Sequence, residues 1–232
     1  MTDRPRTRWR APLVLAAALP MLGGAGTCGI LFDLWSWDEI TESADSIDID
    51  VEEGRQEIAG YPRRNIWLQR HVYAFEGSLG DAEFGVADQV FHIVFDCDGP
   101  ATCFADHWLE VPDDIPVRLA LQQGSVSLYG LNGPVELEVG EGVIDGDDLG
   151  SLDFQLEGDE LGEVSLNWLV VPESISIELA RAQVTLALPP GEYDCDVPAD
   201  AEIDPSVVCV DGAAALLHVE LQRGTLTVVP PP

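Results

Sequence analysis

Residues 115–189 repeat one pattern four times: an apolar-alternating run, a short polar turn, a second such run, and a break. The first runs would bury Val117/Leu119/Leu121, Val135/Leu137/Val139, Leu152/Phe154/Leu156 and Ile175/Ile177/Leu179. The second would bury Val126/Leu128, Val143, Val164/Leu166 and Val184/Leu186/Leu188. Strict alternation marks a strand with one buried face. A unit of about twenty residues with two short strands cannot bury its apolar face alone, so the units must stack coil on coil. Gly124, Gly142 and Gly158 fall in the turns. Arg118, Glu136, Glu138, Asp153, Gln155, Glu157, Ser176 and Glu178 take the outward positions.

The same grammar starts at Ser46 with SIDIDVEEGRQEIAGY and returns at 216–229 with LLHVELQRGTLTVV. Between them, IWLQRHVYAF (66–75) and VFHIVFDC (90–97) read as strands, and GDAEFGVAD as a turn. No apolar pattern at helical spacing persists beyond the N-terminal segment. The chain is expected to be all-β: a β-solenoid of two-strand coils, with a β-sandwich as the alternative. The expected organisation is a signal or anchor segment at 1–32, an acidic connector at 33–45, one β-domain at 46–229 and a proline tail at 230–232.

Charge narrows the partners. Against 42 acidic residues stand 11 basic ones, all arginine, for a formal net charge of −31. Such a surface repels nucleic acid and anionic membranes, and favours solvation, basic partners or divalent cations.

Four of the arginines lie in the first ten residues, ahead of an apolar stretch. Three fates fit that arrangement. Ala25-Gly26-Thr27-Cys28 is similar to a lipobox, which would make Cys28 a lipidated N-terminus; Gly23-Gly24-Ala25 suits ordinary signal cleavage; residues 11–32 carry no charge and are long enough to span a membrane uncut. All three place the remainder outside the cytoplasm. Trp35 and Trp37 would then suit a membrane interface, whereas Trp67, Trp108 and Trp168 read as core or coil-end residues.

The other four cysteines form local couples, Cys97 with Cys103 and Cys195 with Cys209, and an exported chain favours disulfides. A four-thiolate zinc site would show C-x2-C pairs, which neither spacing provides. Catalytic signatures are missing: there is no G-x-S-x-G and no H-E-x-x-H, and His71, His92, His107 and His218 are scattered. Asp145, Asp147 and Asp148, in an acidic glycine turn, are the candidate ligands for a hard cation such as Ca²⁺.

The units VRLALQQGSVSLYGL and GPVELEVGEGVIDGDDL, preceded by a Cys…Cys…LEVP segment, resemble the adhesin-like β-solenoid domains of bacterial envelope proteins, a family of unknown function. The resemblance spans roughly residues 46–229. It implies a right-handed parallel β-helix-like fold and an exported location, and transfers no catalytic residues. The expected role is therefore a non-enzymatic, membrane-tethered structural or adhesion module, with an envelope protein, surface protein or glycan as partner. A carbohydrate-active enzyme on a β-helix is the alternative, and a groove of converging acids with Arg118 or Arg181 would mark it.

Overall fold

The computed structural model describes residues 31–75, 79–97 and 103–232. Among them the chain forms strands and no helix. In order these are β1 (Leu31–Ile40), β2 (Ser46–Tyr61), β3 (Ile66–Phe75), β4 (Leu79–Ala87), β5 (Val90–Cys97), β6 (Cys103–Pro112) and β7 (Val117–Tyr129). There follow β8 (Val135–Leu149), β9 (Asp153–Trp168), β10 (Ser174–Ala187), β11 (Gly191–Asp196), β12 (Glu202–Ile203), β13 (Val207–Cys209) and β14 (Ala215–Val229).

Six of these, β2, β7, β8, β9, β10 and β14, are pairs of short arms joined at a corner, and they lie side by side in that order, parallel and in register except for shifts at Gly142/Val143, Gly146/Leu149 and Arg181/Gln183 where β9 meets its neighbours. Ile47, Val117, Val135, Phe154, Ile175 and Leu217 make one continuous inward column. All six are buried. Parallel neighbours need a crossover, and here the crossover is the second arm plus a short return loop. The result is a solenoid. Consecutive units of an antiparallel sandwich would not lie parallel in this way.

The corners demand glycine where coils touch. Gly54, Gly124 and Gly142 stack directly, with φ of 147°, 151° and 150°. A Cβ on Gly124 would run into the Gly54 carbonyl oxygen, and one on Gly142 into that of Gly124. The corner of β8 also shifts one expected core residue. Past Gly142, Val143 turns outward (48% exposed), and Ile144 (1%) pairs with Val126 in the inward column. Leu152 is likewise outside the core, because β9 begins at Asp153 and sends Phe154 and Leu156 inward.

Order along the stack departs from order along the chain at both ends. β5 lies on the first arm of β2 and β6 on its second arm, so β5 and β6 form a coil beyond β2. The first coil in sequence is thus enclosed between this coil and β7. The opposite end repeats the device. β11 and β12 lie on the two arms of β14, and β13 lies on β11, so β14 is enclosed between β10 and the 190–212 insertion. Each covering coil holds a disulfide, Cys97–Cys103 with Cα atoms 6.0 Å apart and Cys195–Cys209 at 5.4 Å.

Beyond β5 and β6 the chain runs antiparallel. β4 pairs with β5, β3 with β6, and β1 with β3. The segment read as a turn, GDAEFGVAD, is therefore mostly strand β4. Its hairpin turns on Asp88 and Gln89, with φ of 52° and 66°, a two-residue turn with both central residues at positive φ. The acidic connector supplies most of β1.

Two outcomes test this architecture. Gly124→Ala should cost about 3 kcal/mol or more in denaturant unfolding, since it meets both a blocked site and positive φ. Gly85→Ala, at φ 156° with nothing within 4 Å of the added carbon, should cost about 1 kcal/mol. Equal costs would mean that close coil approach contributes nothing. Replacing Cys195 and Cys209 by serine should cost about 3 kcal/mol, for a bridge of sequence separation 14. Hydrogen exchange should then rise first in β14; unchanged protection there would refute the capping role of the insertion.

Candidate functional site

Strands β1, β3 and β6 build a three-stranded antiparallel sheet at the N-terminal end of the stack. Alternation sends Ile66, Leu68, Val72 and Ala74 of β3 inward, and Cys103, Ala105, Leu109 and Val111 of β6 with them. The other face points to solvent, and the register sets it out in rows. Asp33 lies beside Tyr73 and Phe104; Trp35 beside His71 and Asp106; Trp37 beside Gln69 and Trp108; Glu39 beside Trp67 and Glu110.

Every row carries an aromatic ring. Four of the chain's 6 tryptophans are gathered here. The Trp35 ring stacks on His71 at 4.2 Å and lies near-parallel to Trp108 at 5.7 Å. Tyr73 stacks on Phe104 at 5.1 Å. Trp37 is 73% exposed, Trp35 55% and Trp67 45%. Trp67 is thus a surface residue, whereas Trp168 is fully buried, its indole N–H donating to the Ser151 carbonyl at 3.2 Å.

Carboxylates fix the positions between the rings. Asp33 Oδ1 lies 2.9 Å from His71 Nε2, and Asp106 Oδ1 accepts the Arg55 backbone N–H at 2.9 Å. Asn65 donates to Glu39 at 2.8 Å, and Arg63 pairs with Glu110. This face mixes exposed ring surface with acceptors, a combination suited to cation–π and hydrogen-bonded recognition.

Behind the face the end of the core is polar. Arg70 donates to Ser36 Oγ at 2.6 Å and lies 4.2 Å over the Phe84 ring. Burial pulls its pKa down, partly offset by the nearby Asp38 carboxylate. Farther in, His107 is 2% exposed and its Nδ1 lies 2.9 Å from Gln56 Oε1, while Gln56 Nε2 donates to the Ala105 carbonyl at 3.0 Å. Burial first, and then the Arg70 charge, push His107 down to about 3. Sequence alternation hid this pair, because it gives Gln56 and His107 the inward positions of their strands without saying what each would face.

The other candidate residues lie elsewhere. Asp145 and Asp147 are alternate outward residues of strand β8, about 6.6 Å apart along an extended chain, rather than members of one chelating loop. Asp147 accepts from Asn167 at 2.7 Å, and Asp148, at φ 54°, is engaged by the Tyr129 hydroxyl, whose pKa is raised by that hydrogen bond. Among the described residues no three His, Cys, Asp or Glu side chains are grouped to hold a metal ion. Cys28 lies outside the described residues.

Arg118 is beside Glu136 at 3.4 Å on an open face shared with Asp50, Glu53 and Glu138. Arg181 stands in a different outward column, opposite Glu160 and Arg223. Among the described residues the buried polar side chains are Gln56, His107 and Ser151; no acidic residue is buried as a whole, but Asp38 Oδ2 is enclosed without a hydrogen-bond partner.

No family model and no curated protein matches the chain. A solved structure is similar to it: a "putative cell adhesion protein" from Clostridium sporogenes ATCC 15579, at 14% identity and a TM-score of 0.48, over 85% of this chain and 99% of that one.

His107 makes stability depend on pH in a defined direction. Its folded pKa is below the ordinary value of 6.5, so between that value and about 3 the unfolded chain binds the extra proton. The stability it permits is complete above pH 6.5 and falls as the pH drops towards 3. The slope approaches about 1.4 kcal/mol per pH unit. In His107→Gln this contribution to the slope should vanish; melting-temperature profiles identical to the parent's from pH 7 to 4 would show that His107 contributes none of the pH dependence.

Proposed function

We propose that this chain is an extracytoplasmic β-solenoid, held at a membrane by its N-terminal segment, that serves as a non-enzymatic interaction module of the cell envelope. The observation that carries the reading is the aromatic face on β1, β3 and β6. A globular protein rarely leaves three tryptophans this exposed in one patch without a partner for it. Two of the rings, Trp35 and Trp37, also come just after the N-terminal segment along the chain.

Three further features support the reading. Two disulfides suit an oxidising compartment. The acids on the long faces are solvent-exposed or partly so, whereas acid–base catalysis relies on a carboxylate whose environment shifts its pKa. The solenoid itself is a rigid spacer, because each coil pairs with its neighbours along both arms. Tethering proceeds through lipidation of Cys28 or through an uncut apolar span, and both leave the aromatic face outside.

A photocrosslinker in place of Gln69, amid the rings, tests the proposal against one at Thr185 on the distant outward column of β10. In intact cells the protein should fractionate with membranes, carry oxidised cysteines and crosslink from position 69 but not 185. A soluble cytoplasmic protein with free thiols, or equal crosslinking from both positions, would overturn it. Mass spectrometry of the mature N-terminus distinguishes the two tethers, since a lipidated Cys28 has a diagnostic mass.

A further inference from the structure

Strand β1 is an edge. It pairs with β3 along its whole length, and among the described residues no strand occupies its other side. From Asp33 onward its outward positions read Asp33, Trp35, Trp37, Glu39, an acid or an exposed tryptophan at each. Natural edges are commonly blunted with lysine, proline or a bulge. β1 contains no lysine or proline, and its ten pairs with β3 run without a register shift, so the charge that guards it is all acidic: Asp33, Asp38 and Glu39.

We propose that this edge is a docking site for an extended cationic polypeptide, added as a further strand with Arg or Lys at alternate residues. The inference rests on the interaction-module reading and names the partner chemistry of that same face. A strand laid along β1 would pair its main chain with the open N–H and C=O groups. Its alternate side chains, about 6.6 Å apart, would follow the pitch of the outward β1 residues. Cationic side chains there would meet a carboxylate, a ring, a ring and a carboxylate in turn. Arginine is the best match to both surfaces, since its planar guanidinium stacks on indole and forks onto carboxylate. Asp33 and Glu39 each already accept one hydrogen bond, from His71 or Asn65, and a carboxylate has room for about four.

Charge decides against the competing occupants. A second copy would bring another net charge of −31 to the same edge. With the two-fold axis at Ser36, antiparallel self-pairing would also set Asp33 opposite the Glu39 of the other copy, a like-charge pair at each end of the strand. An anionic lipid surface is repelled by the same field.

The test is a titration of the full-length chain, in a zwitterionic detergent, with a capped ten-residue peptide of alternating Arg and Thr. Two comparison peptides have the same composition, one with its arginines in a block and one N-methylated at alternate amides; a neutral glucan hexasaccharide is the fourth probe. The alternating peptide should give a saturable tryptophan emission change and protect the β1 amides from exchange. The blocked and N-methylated peptides, and the Trp35→Ala/Trp37→Ala variant, should each bind at least about tenfold more weakly.

Equal binding of all three peptides would reduce the effect to non-specific charge attraction and overturn the inference. So would a response to the glucan alone, which would make the face a sugar platform. The N-methylated peptide keeps the test valid even if the tryptophan variant does not fold. Silence from every probe, with site-specific crosslinking from position 69 intact, would refute the strand-addition inference alone; loss of both would refute the interaction module as well.

Discussion

A parallel coil completes its main-chain hydrogen bonding only through the coils above and below it, so a solenoid is stable in its middle and incomplete at its ends. The chain answers this by topology. It starts the stack at β2 and finishes it at β14, then covers each with a coil drawn from an intervening segment. Neither terminal coil is left as an edge. The covering coils are the ones that carry disulfides. Covalent closure there adds to the burial of residues such as Phe91, Ile93 and Tyr193.

In-register stacking also dictates the surface. Whatever occupies an outward position recurs in a column, and Glu138, Glu157, Glu178 and Glu220 form such a column on four adjacent coils. At a strand spacing of about 4.8 Å, each neighbouring pair repels by about 0.9 kcal/mol in water before salt screening. Burying one Leu or Val contributes about 1.5–3 kcal/mol, and every coil buries several. The inward columns therefore set the register, and the acids tolerate it because water screens them. The extreme acidity is compatible with the fold without being a cause of it.

Periodicity made the middle of the chain readable. β7, β8, β9, β10 and β14 alternate cleanly, and a run of similar units has one economical packing. Single-residue errors arose where a corner breaks the alternation, as at Val143 and Ile144, or where the strand begins later than its apolar pattern, as at Leu152. β4 was illegible because its two glycines and its acids interrupt any alternation, and because its turn uses Asp88 and Gln89 in place of glycine. The aromatic face was hidden for a different reason. Trp35, Trp67 and Trp108 are far apart in sequence, and only the antiparallel register of β1, β3 and β6 brings them together. Local pattern carries no information about which strands turn antiparallel, nor about a first coil enclosed by a later one.

The two ends of the stack are unequal. At the C-terminal end, β11 to β13 and the Cys195–Cys209 bridge close over β14, with Tyr193 fully buried beneath. At the N-terminal end the inward positions turn polar: Gln56 and His107, then Arg70, Ser36 and Asp38. A further coil stacked there would have to bury the Arg70 charge, at a cost of several kcal/mol unless it were fully paired. Inward charge thus stops the stack from continuing as a fibre along its own axis. β1 is the last strand of the sheet at this end, so a strand paired to it would face Ser36 and Asp38 on its inward side and the acids and rings of β1 on its outward side. An apolar coil is therefore disfavoured at this end, whereas a strand with polar or cationic side chains would not be.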